Sequence, residues 1–199
     1  HVRRATMLVG SLPEIARTLV ANGPAGLDGI GLEMFVPVQP MLADTAEDVA
    51  ALEPLTELVL EAKLDGARVQ AHVANGVVRV YSRALNEVTH AVPEVVAQLV
   101  GLGVRDAILD GEVIALRPGG RPHPFQTTMR RFGRKSDDAE LRSELPLTTF
   151  WFDLLRLDGE GLIDRPLSER RRRLGAILPE HLTPARSVAT VDEAAAFID

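Results

Sequence analysis

The chain has 199 residues, of which 46% are hydrophobic and 25% are charged, the balance of an ordinary globular protein. It contains no cysteine, which excludes disulfides and thiolate metal sites, and its net charge of −6 argues against nucleic-acid binding unless basic residues gather locally. No apolar run approaches the roughly 18 residues of a membrane span and no signal segment follows the N-terminus, so we expect a cytoplasmic protein.

The first fifty residues are predicted to be helical and then irregular. Ser11-x-x-Glu14 is a capping box that opens a helix, and Asn22-Gly23-Pro24 ends it. The glycine-rich residues 23–31 are typical of a linker. A short helix is expected from Thr45 to about Leu52.

Near Leu58 the pattern changes to the two-residue period of β-strands. Residues 67–73 alternate apolar and polar side chains, which predicts a half-buried strand. Asn75-Gly76 is a strong hairpin-turn signal, and residues 77–82 follow as the partner strand. Further strands are expected at 107–116 and 148–155.

Helices are predicted between and after these strands, at 93–102, 125–131 and 168–177, and a last one opens with the capping box Thr190-x-x-Glu193. The charged residues 137–144 are expected to be exposed. A hairpin combined with intervening helices indicates a mixed α+β fold with an antiparallel sheet. Because the last helix has only begun at the final residue, we expect the chain to be an excerpt of a longer protein.

Lysine is scarce in this chain. Of 22 basic residues only Lys63 and Lys135 are lysine, and the rest are arginine. Arginine does not readily lose its proton, whereas lysine becomes a nucleophile when its pKa is lowered. A lysine kept against this bias is a candidate for chemistry, although two surface lysines could also remain by chance.

Four residues in or beside the predicted strands, three charged and one aromatic, are candidates for a site. Lys63 begins Lys-x-Asp-Gly between two strands, where burial would desolvate its amine; Asp65-Gly66 is interpreted as a sharp bend. Arg83 ends a strand, Glu112 interrupts an apolar strand, and Phe152 stands beside an acid. Each has a plain structural alternative: a surface lysine, a carboxylate paired with an arginine, or an aromatic in the core.

In this order and spacing the segments resemble the motifs of covalent nucleotidyltransferases, the superfamily of DNA ligases, RNA ligases and mRNA capping enzymes. The resemblance is strongest to ATP-dependent DNA ligases. The matching segments are residues 61–68 (EAKLDGAR), 81–83 (YSR), 109–112 (LDGE) and 150–155 (FWFDLL).

The resemblance extends to residues 38–43 and 166–170, and residues 3–22 resemble the end of a helical DNA-binding domain. It implies two domains: residues 1–33, the end of that helical domain plus a linker, and residues 34–199, the N-terminal part of the adenylation domain. The implied fold is an α+β, antiparallel-sheet, ATP-grasp-like nucleotidyltransferase domain. The family's later metal-binding glutamate, its two phosphate-binding lysines and its OB-fold domain do not follow, which we interpret as truncation; the excerpt alone is expected to be inactive.

The resemblance also implies roles for individual residues. Lys63 would attack ATP to form lysyl-AMP, and the AMP would pass to the 5′-phosphate of a DNA nick. Glu112 would bind Mg²⁺ and touch the ribose. The remaining nucleotide contacts would come from the Glu61 side chain and the Ala62 backbone at the adenine edge, Phe152 at the adenine face, and Arg68 and Arg83 at phosphate or ribose. Asp65 and Asp153 would support the site without catalysing.

Two arginine-rich segments could contact DNA. The first comprises Arg130, Arg131, Arg134 and Lys135; the second, residues 170–173, lies on a predicted helix, where structural pairing is the favoured interpretation. The expected partner is nicked double-stranded DNA, and the protein is expected to be a monomer serving replication, repair or recombination. Two alternatives stay open: an RNA ligase or capping-type nucleotidyltransferase, and a catalytically inactive nucleic-acid-binding relative.

Overall fold

The structure is a computed structural model that describes residues 1–41, 43–48, 51, 58–132 and 139–198. It divides into two compact units. The larger unit comprises His1–Pro40 and Asp65–Leu182, and the smaller unit comprises Met41–Leu64 and Thr183–Asp199. The helix expected from Thr45 to Leu52 is wrong over its first half, because residues 45–48 are described and are not helical, whereas 49, 50 and 52 lie outside the described residues. Arg134, Lys135 and the start of the charged segment 137–144 also lie outside them.

A five-stranded antiparallel sheet forms the centre of the larger unit, with strand order β3-β2-β4-β5-β6. Its strands are β2 (Ala67–Ala74), β3 (Val77–Ser82), β4 (Asp106–Ala115), β5 (Leu147–Leu157) and β6 (Glu160–Gly161). The predicted hairpin is confirmed: Asn75 and Gly76 both have positive φ, 51° and 77°, as a two-residue turn between twisted strands requires. The predicted mixed α+β fold is therefore the observed one.

One face of the sheet is covered by helices. These are α3 (Pro93–Val100), with its proline in the first turn, α4 (Phe125–Phe132) and α6 (Leu167–Ile177). The predicted bounds agree to within a few residues. The core on this face includes the fully buried Val80, Leu99, Trp151 and Leu174.

The opposite face is covered by the N-terminal part of the chain, where Leu8, Leu32 and Val38 pack against Ile108 and Leu155. This arrangement overturns one expectation. β2 is not half-buried, because its polar side chains Gln70 and His72 are 6% and 0% exposed beneath that covering. They stay buried because they hydrogen-bond to its backbone.

Two helices open the chain: α1 (Val2–Val9) and α2 (Leu12–Asn22). The Ser11 hydroxyl accepts the Glu14 N–H, which confirms the predicted cap. The stretch expected to be a linker contains a 3₁₀ turn, Pro24–Leu27, whose Leu27 is buried against both helices. The domain boundary at residues 33 and 34 stays a prediction.

In the smaller unit β1 (Leu58–Glu61) pairs antiparallel with β7 (Ala185–Val188), and α7 (Val191–Ile198) follows. Leu58, Val188 and Ala194 form its core. The Thr190 hydroxyl accepts the Glu193 N–H, which confirms the second predicted cap.

Residues expected to be exposed include a short helix, α5 (Ala139–Glu144), which buries Leu141. Its remaining described residues are partly or fully exposed, as a charged segment should be. Across the described ranges, which omit 52–57 and 133–138 among others, no helix has the length and apolarity to cross a membrane.

Candidate functional site

A shallow, open pocket lies in the larger unit, at one end of β2 and β3. Its lining combines two arginines, a buried carboxylate and polar and apolar side chains: Val38, Pro40, Arg68, Val69, Gln70, Ser82, Arg83, Leu85 and Asp110. Two predicted site residues, Arg68 and Arg83, thus share one pocket. Its positive side chains suit an anionic ligand.

Arg68 on β2 is fixed by Asp110 on β4. Its Nε donates to Oδ1 at 3.0 Å and its Nη2 to Oδ2 at 2.7 Å, a two-bond pairing that sets the plane of the guanidinium. The hydrogen bond that Arg68 donates to Asp110 raises the pKa of Arg68, so Arg68 stays charged. Burial raises the pKa of the Asp110 carboxyl, and the bonds from Arg68 oppose that effect.

Strand register brings Glu112 beside Arg68, because the two residues are direct partners in the β2–β4 pairing. The backbone N–H of Gly66 donates to Oε1 of Glu112 at 3.0 Å. The glycine is required by close approach rather than by a positive-φ bend: a Cβ there would lie 2.3 Å from the carbonyl oxygen of Val113. The chain does bend at Gly66, just before β2, as the sequence predicts.

The neighbouring aromatic residues Trp151 and Phe152 on β5 lie on opposite faces of the sheet, one in the core and one near the candidate site. Trp151 is fully buried and its indole N–H donates to Gln98 at 3.2 Å. Phe152 points the other way and is half-buried, with the Arg68 guanidinium carbon 5.4 Å from its ring centre. The ring is therefore placed beside Arg68 and available to a ligand.

Asp153 on β5 is paired with an arginine of α6. Arg170 on α6 donates to both of its carboxylate oxygens, at 2.6 and 2.9 Å. Arg173 pairs with Glu160 and Glu169. Structural pairing thus accounts for these two arginines of the second arginine-rich segment.

Arg83 follows the last residue of β3 and is exposed. The turn behind it closes when the Leu85 N–H donates to the Ser82 carbonyl at 2.8 Å, with Leu85 at a φ of 64°. This turn places Arg83 on the rim of the pocket.

Glu61, Ala62 and Lys63 belong to the smaller unit. Glu61 ends β1, and the Ala62 N–H donates to the Pro184 carbonyl at 2.9 Å. Lys63 is exposed, with its Nζ 3.3 Å from the carbonyl oxygen of Leu64. The expected desolvation of Lys63 is therefore wrong, because the residue lies beyond the end of β1 in a segment without regular structure.

The first arginine-rich segment does not act as a unit. Arg131 is buried and donates to Glu94 at 2.9 and 3.1 Å and to the carbonyl of Leu145 at 2.9 Å, so it is a structural residue. Arg130 is exposed. The rest of the segment lies outside the described residues.

Gln70 is a pocket residue that belongs to none of the sequence motifs. Its place in an alternating pattern predicts a solvent-facing side chain, and only the covering by residues 30–40 makes it part of a wall. Asp110 belongs to a noted motif, but no local signal identifies Arg68 as its partner.

Comparison with known proteins gives a consistent result. The protein-family description "ATP dependent DNA ligase domain" matches residues 40–199. A protein from Sorangium cellulosum named "Probable DNA ligase" is 52% identical over 198 residues, covering 98% of this chain and 37% of the relative. One of the same name from Anaeromyxobacter sp. is 53% identical over 197 residues, covering 98% and 38%. The chain thus spans less than two-fifths of the length of these relatives.

Solved structures agree. Mycobacterial DNA ligase D, complexed with ATP and MES, superposes with a TM-score of 0.60 at 29% identity, covering 79% of this chain and 49% of that one. The ligase domain of LigD from M. tuberculosis gives 0.56 at 28% identity, covering 73% and 45%. With its motif residues on three neighbouring strands, and with these relatives, the chain belongs to the ATP-dependent DNA ligase domain family.

Proposed function

We propose that the complete gene product is an ATP-dependent DNA ligase and that this chain supplies the part of it that takes up AMP. The observation that carries the proposal is the register of β2, β4 and β5. It sets Arg68, Glu112 and Phe152 on neighbouring strands beside a pocket with a second arginine, Arg83. A structural relative binds ATP, which supports ATP as the ligand.

Lys63 is the proposed nucleophile. Its unprotonated amine attacks the α-phosphorus of ATP, a nitrogen–phosphorus bond forms, and the bond to the β-phosphate oxygen breaks to release pyrophosphate. The AMP then passes to the 5′-phosphate of a nick, which frees Lys63. The 3′-hydroxyl attacks that phosphate, and AMP leaves as the strand is sealed.

The other site residues hold the nucleotide. Phe152 offers a ring face on which adenine stacks. Arg68, aimed by Asp110, and Arg83 on the pocket rim bring positive charge to phosphate and ribose oxygens. Glu61 and the Ala62 backbone read the adenine edge, beside the nucleophile in the chain.

Mg²⁺ is the proposed metal. Within residues 1–41, 43–48, 51, 58–132 and 139–198, no three His, Asp or Glu side chains are grouped to hold an ion. Mg²⁺ typically binds one or two carboxylates plus phosphates and water, so Glu112 fits as the protein ligand. When bound, the ion would neutralise charge on the phosphates.

We further propose that the protein acts as a monomer on nicked double-stranded DNA in the cytoplasm. Residues 1–33 would be the end of a helical DNA-binding domain, and residues 34–199 part of the adenylation domain. Among the described residues of the two segments, Arg130 and Arg172 are the exposed arginines, and so they are proposed as phosphate contacts.

Covalent labelling tests the proposal. The complete gene product is incubated with Mg²⁺ and ATP labelled on its α-phosphate, and the denatured protein is examined for label. We expect labelling that Lys63→Arg abolishes, because the guanidinium keeps the charge but is not a nucleophile. Lys135→Arg is the matched control, since it changes the other lysine in the same way, and should keep the label.

Label that survives Lys63→Arg would contradict the assignment of the nucleophile. Labelling by GTP in place of ATP would favour a capping-type enzyme, and label from NAD would indicate a different donor. Labelled protein that seals nicked RNA but not nicked DNA would favour an RNA ligase. No label from any donor would favour an inactive nucleic-acid-binding relative.

A further inference from the structure

Phe35 adopts a backbone conformation that its own side chain disfavours. Its φ of 67° lies in the left-handed region, which residues with a Cβ rarely occupy. Two side chains from the sheet hold it there. Its N–H donates to Nδ1 of His72 at 2.8 Å, and its carbonyl accepts the Tyr81 hydroxyl at 2.9 Å. The chain is thus clamped at this residue from both sides.

The clamp determines the hydrogen position on His72. Because Nδ1 accepts the Phe35 N–H, the ring hydrogen is on Nε2, which donates to Oε1 of Gln70 at 3.0 Å. The same Oε1 accepts the Val38 N–H at 2.8 Å, and the Gln70 amide nitrogen faces the Val38 carbonyl at 3.3 Å. His72 therefore decides which way the Gln70 amide faces, and Gln70 fixes Val38.

This network ends at the pocket. Val38, from the N-terminal covering, and Gln70, from β2, both line it. Pro40, two residues after Val38, lines it as well. His72 itself does not line the pocket and is fully buried. It therefore acts on a ligand indirectly, through its hydrogen-bond partners Gln70 and Phe35.

We propose that Gln70 and His72 are positioning residues: they set the spacing between residues 35–40 and β2, and with it the width of the pocket that takes the nucleotide. The inference rests on the proposed function, because it concerns the same pocket. It predicts that loss of the network weakens nucleotide binding more than it slows the chemical step, since the reacting residues are left in place.

The test measures self-adenylation of the complete gene product at a series of ATP concentrations. His72→Phe keeps the ring volume and removes both hydrogen bonds, and Gln70→Leu removes those of the amide. His72→Gln retains a donor toward Gln70 and serves as the conservative variant. Val95→Ala is the control, because Val95 is buried on α3 and does not line the pocket. Urea unfolding of each variant reports its loss of stability.

For His72→Phe and Gln70→Leu we expect KM for ATP to rise roughly tenfold, the effect of about one lost hydrogen bond, with the maximal rate nearly unchanged. His72→Gln should restore part of the affinity, and Val95→Ala should lose stability without a change in KM. If His72→Phe fails to fold, Gln70→Leu and His72→Gln give the same comparison. If the wild type becomes labelled but His72→Phe and Gln70→Leu have the same KM for ATP as the wild type, this inference alone is overturned. If the wild type itself takes no label, the proposed function is overturned as well.

Discussion

Asp106 and Asp110 lie on the same strand, β4, and are 7% and 6% exposed, yet their surroundings shift their pKa values in opposite directions. At the far end of β4, burial acts to raise the pKa of Asp106, but hydrogen bonds from Arg156, Arg105 and the Gly159 N–H outweigh it and the pKa is lowered. At Asp110, which lines the pocket, the effect of burial is larger than that of the hydrogen bonds and charge of Arg68, so the pKa of Asp110 is raised.

The difference separates a structural group from one that belongs to a site. The Asp106 carboxylate accepts bonds from Arg156 at 2.7 Å and from Arg105 and Gly159 at 3.0 Å, which satisfies its charge within the protein. Asp110 relies on Arg68, a residue that also faces the pocket and Phe152. Asp106, at the start of β4, thus contributes to stability. Asp110 lies in the pocket, where its charge and that of Arg68 are accessible to a ligand.

Loss of the Asp106 carboxylate should lower stability the most. Asp106→Asn should lower the free energy of unfolding by about 3 kcal/mol or more, because it leaves Arg156 partly buried without its carboxylate. Asp110→Asn should cost less, since removing that charge also removes its burial penalty. Urea unfolding of the three proteins measures both values. Equal losses of stability in the two variants, or a larger loss in Asp110→Asn, would contradict the different roles assigned to Asp106 and Asp110.

Asp164→Asn is the control, because it breaks an ion pair with Arg4 in which the Asp164 side chain is 72% exposed. It should change stability by no more than about 1 kcal/mol.

The next effect concerns acidification. Burial lowers the pKa of His72 to about 4, from an ordinary value of 6.5. As pH falls from 6.5 to 4, His72 becomes protonated in the unfolded chain but stays neutral in the folded chain. The free energy of unfolding should therefore decrease, by roughly 3 kcal/mol in all. The lowered pKa of Asp106 acts in a separate window, since its contribution is lost only at still lower pH.

His72→Phe isolates the histidine contribution. The stability of this variant should be nearly independent of pH between 6.5 and 5, above the range in which most carboxylates titrate, while that of the wild type falls. Parallel curves for the two proteins in that interval would show that His72 is not the group responsible.

A glycine N–H holds a carboxylate at two places on β4: Gly159 at Asp106, the first residue of the strand, and Gly66 at Glu112, inside it. The contact at Gly66 has a smaller expected effect. Gly66→Ala should cost about 2 kcal/mol, because its Cβ would meet the Val113 carbonyl at 2.3 Å and force the backbone away. Since the shift also moves the N–H that holds Glu112, labelling by ATP should slow.

Gly101→Ala is the matched control for this substitution. Among the described residues, apart from its two chain neighbours, no heavy atom lies within 4 Å of the added methyl group there, so stability should change by no more than about 0.5 kcal/mol. Stability and labelling that are the same in both variants would show that the close approach at Gly66 is unimportant.

Local patterns alone determined much of this protein. Caps at Ser11 and Thr190, the Asn75-Gly76 turn and the two-residue period around it predicted the helices, the hairpin and the α+β class, because these features depend on residues close in the chain. The order and spacing of the motifs identified the family and the candidate residues. Neither kind of signal depends on which distant segment is the neighbour.

Tertiary structure decided which partner each side chain met. Arg68 and Asp110 are 42 residues apart in the chain, and Phe35 and His72 are 37 apart. Alternation could not reveal that β2 is covered on both faces, nor that Arg131 is buried on Glu94 while Lys63 is exposed. Burial and ion pairing depend on segments that the fold brings together, and a sequence pattern registers only its own neighbourhood.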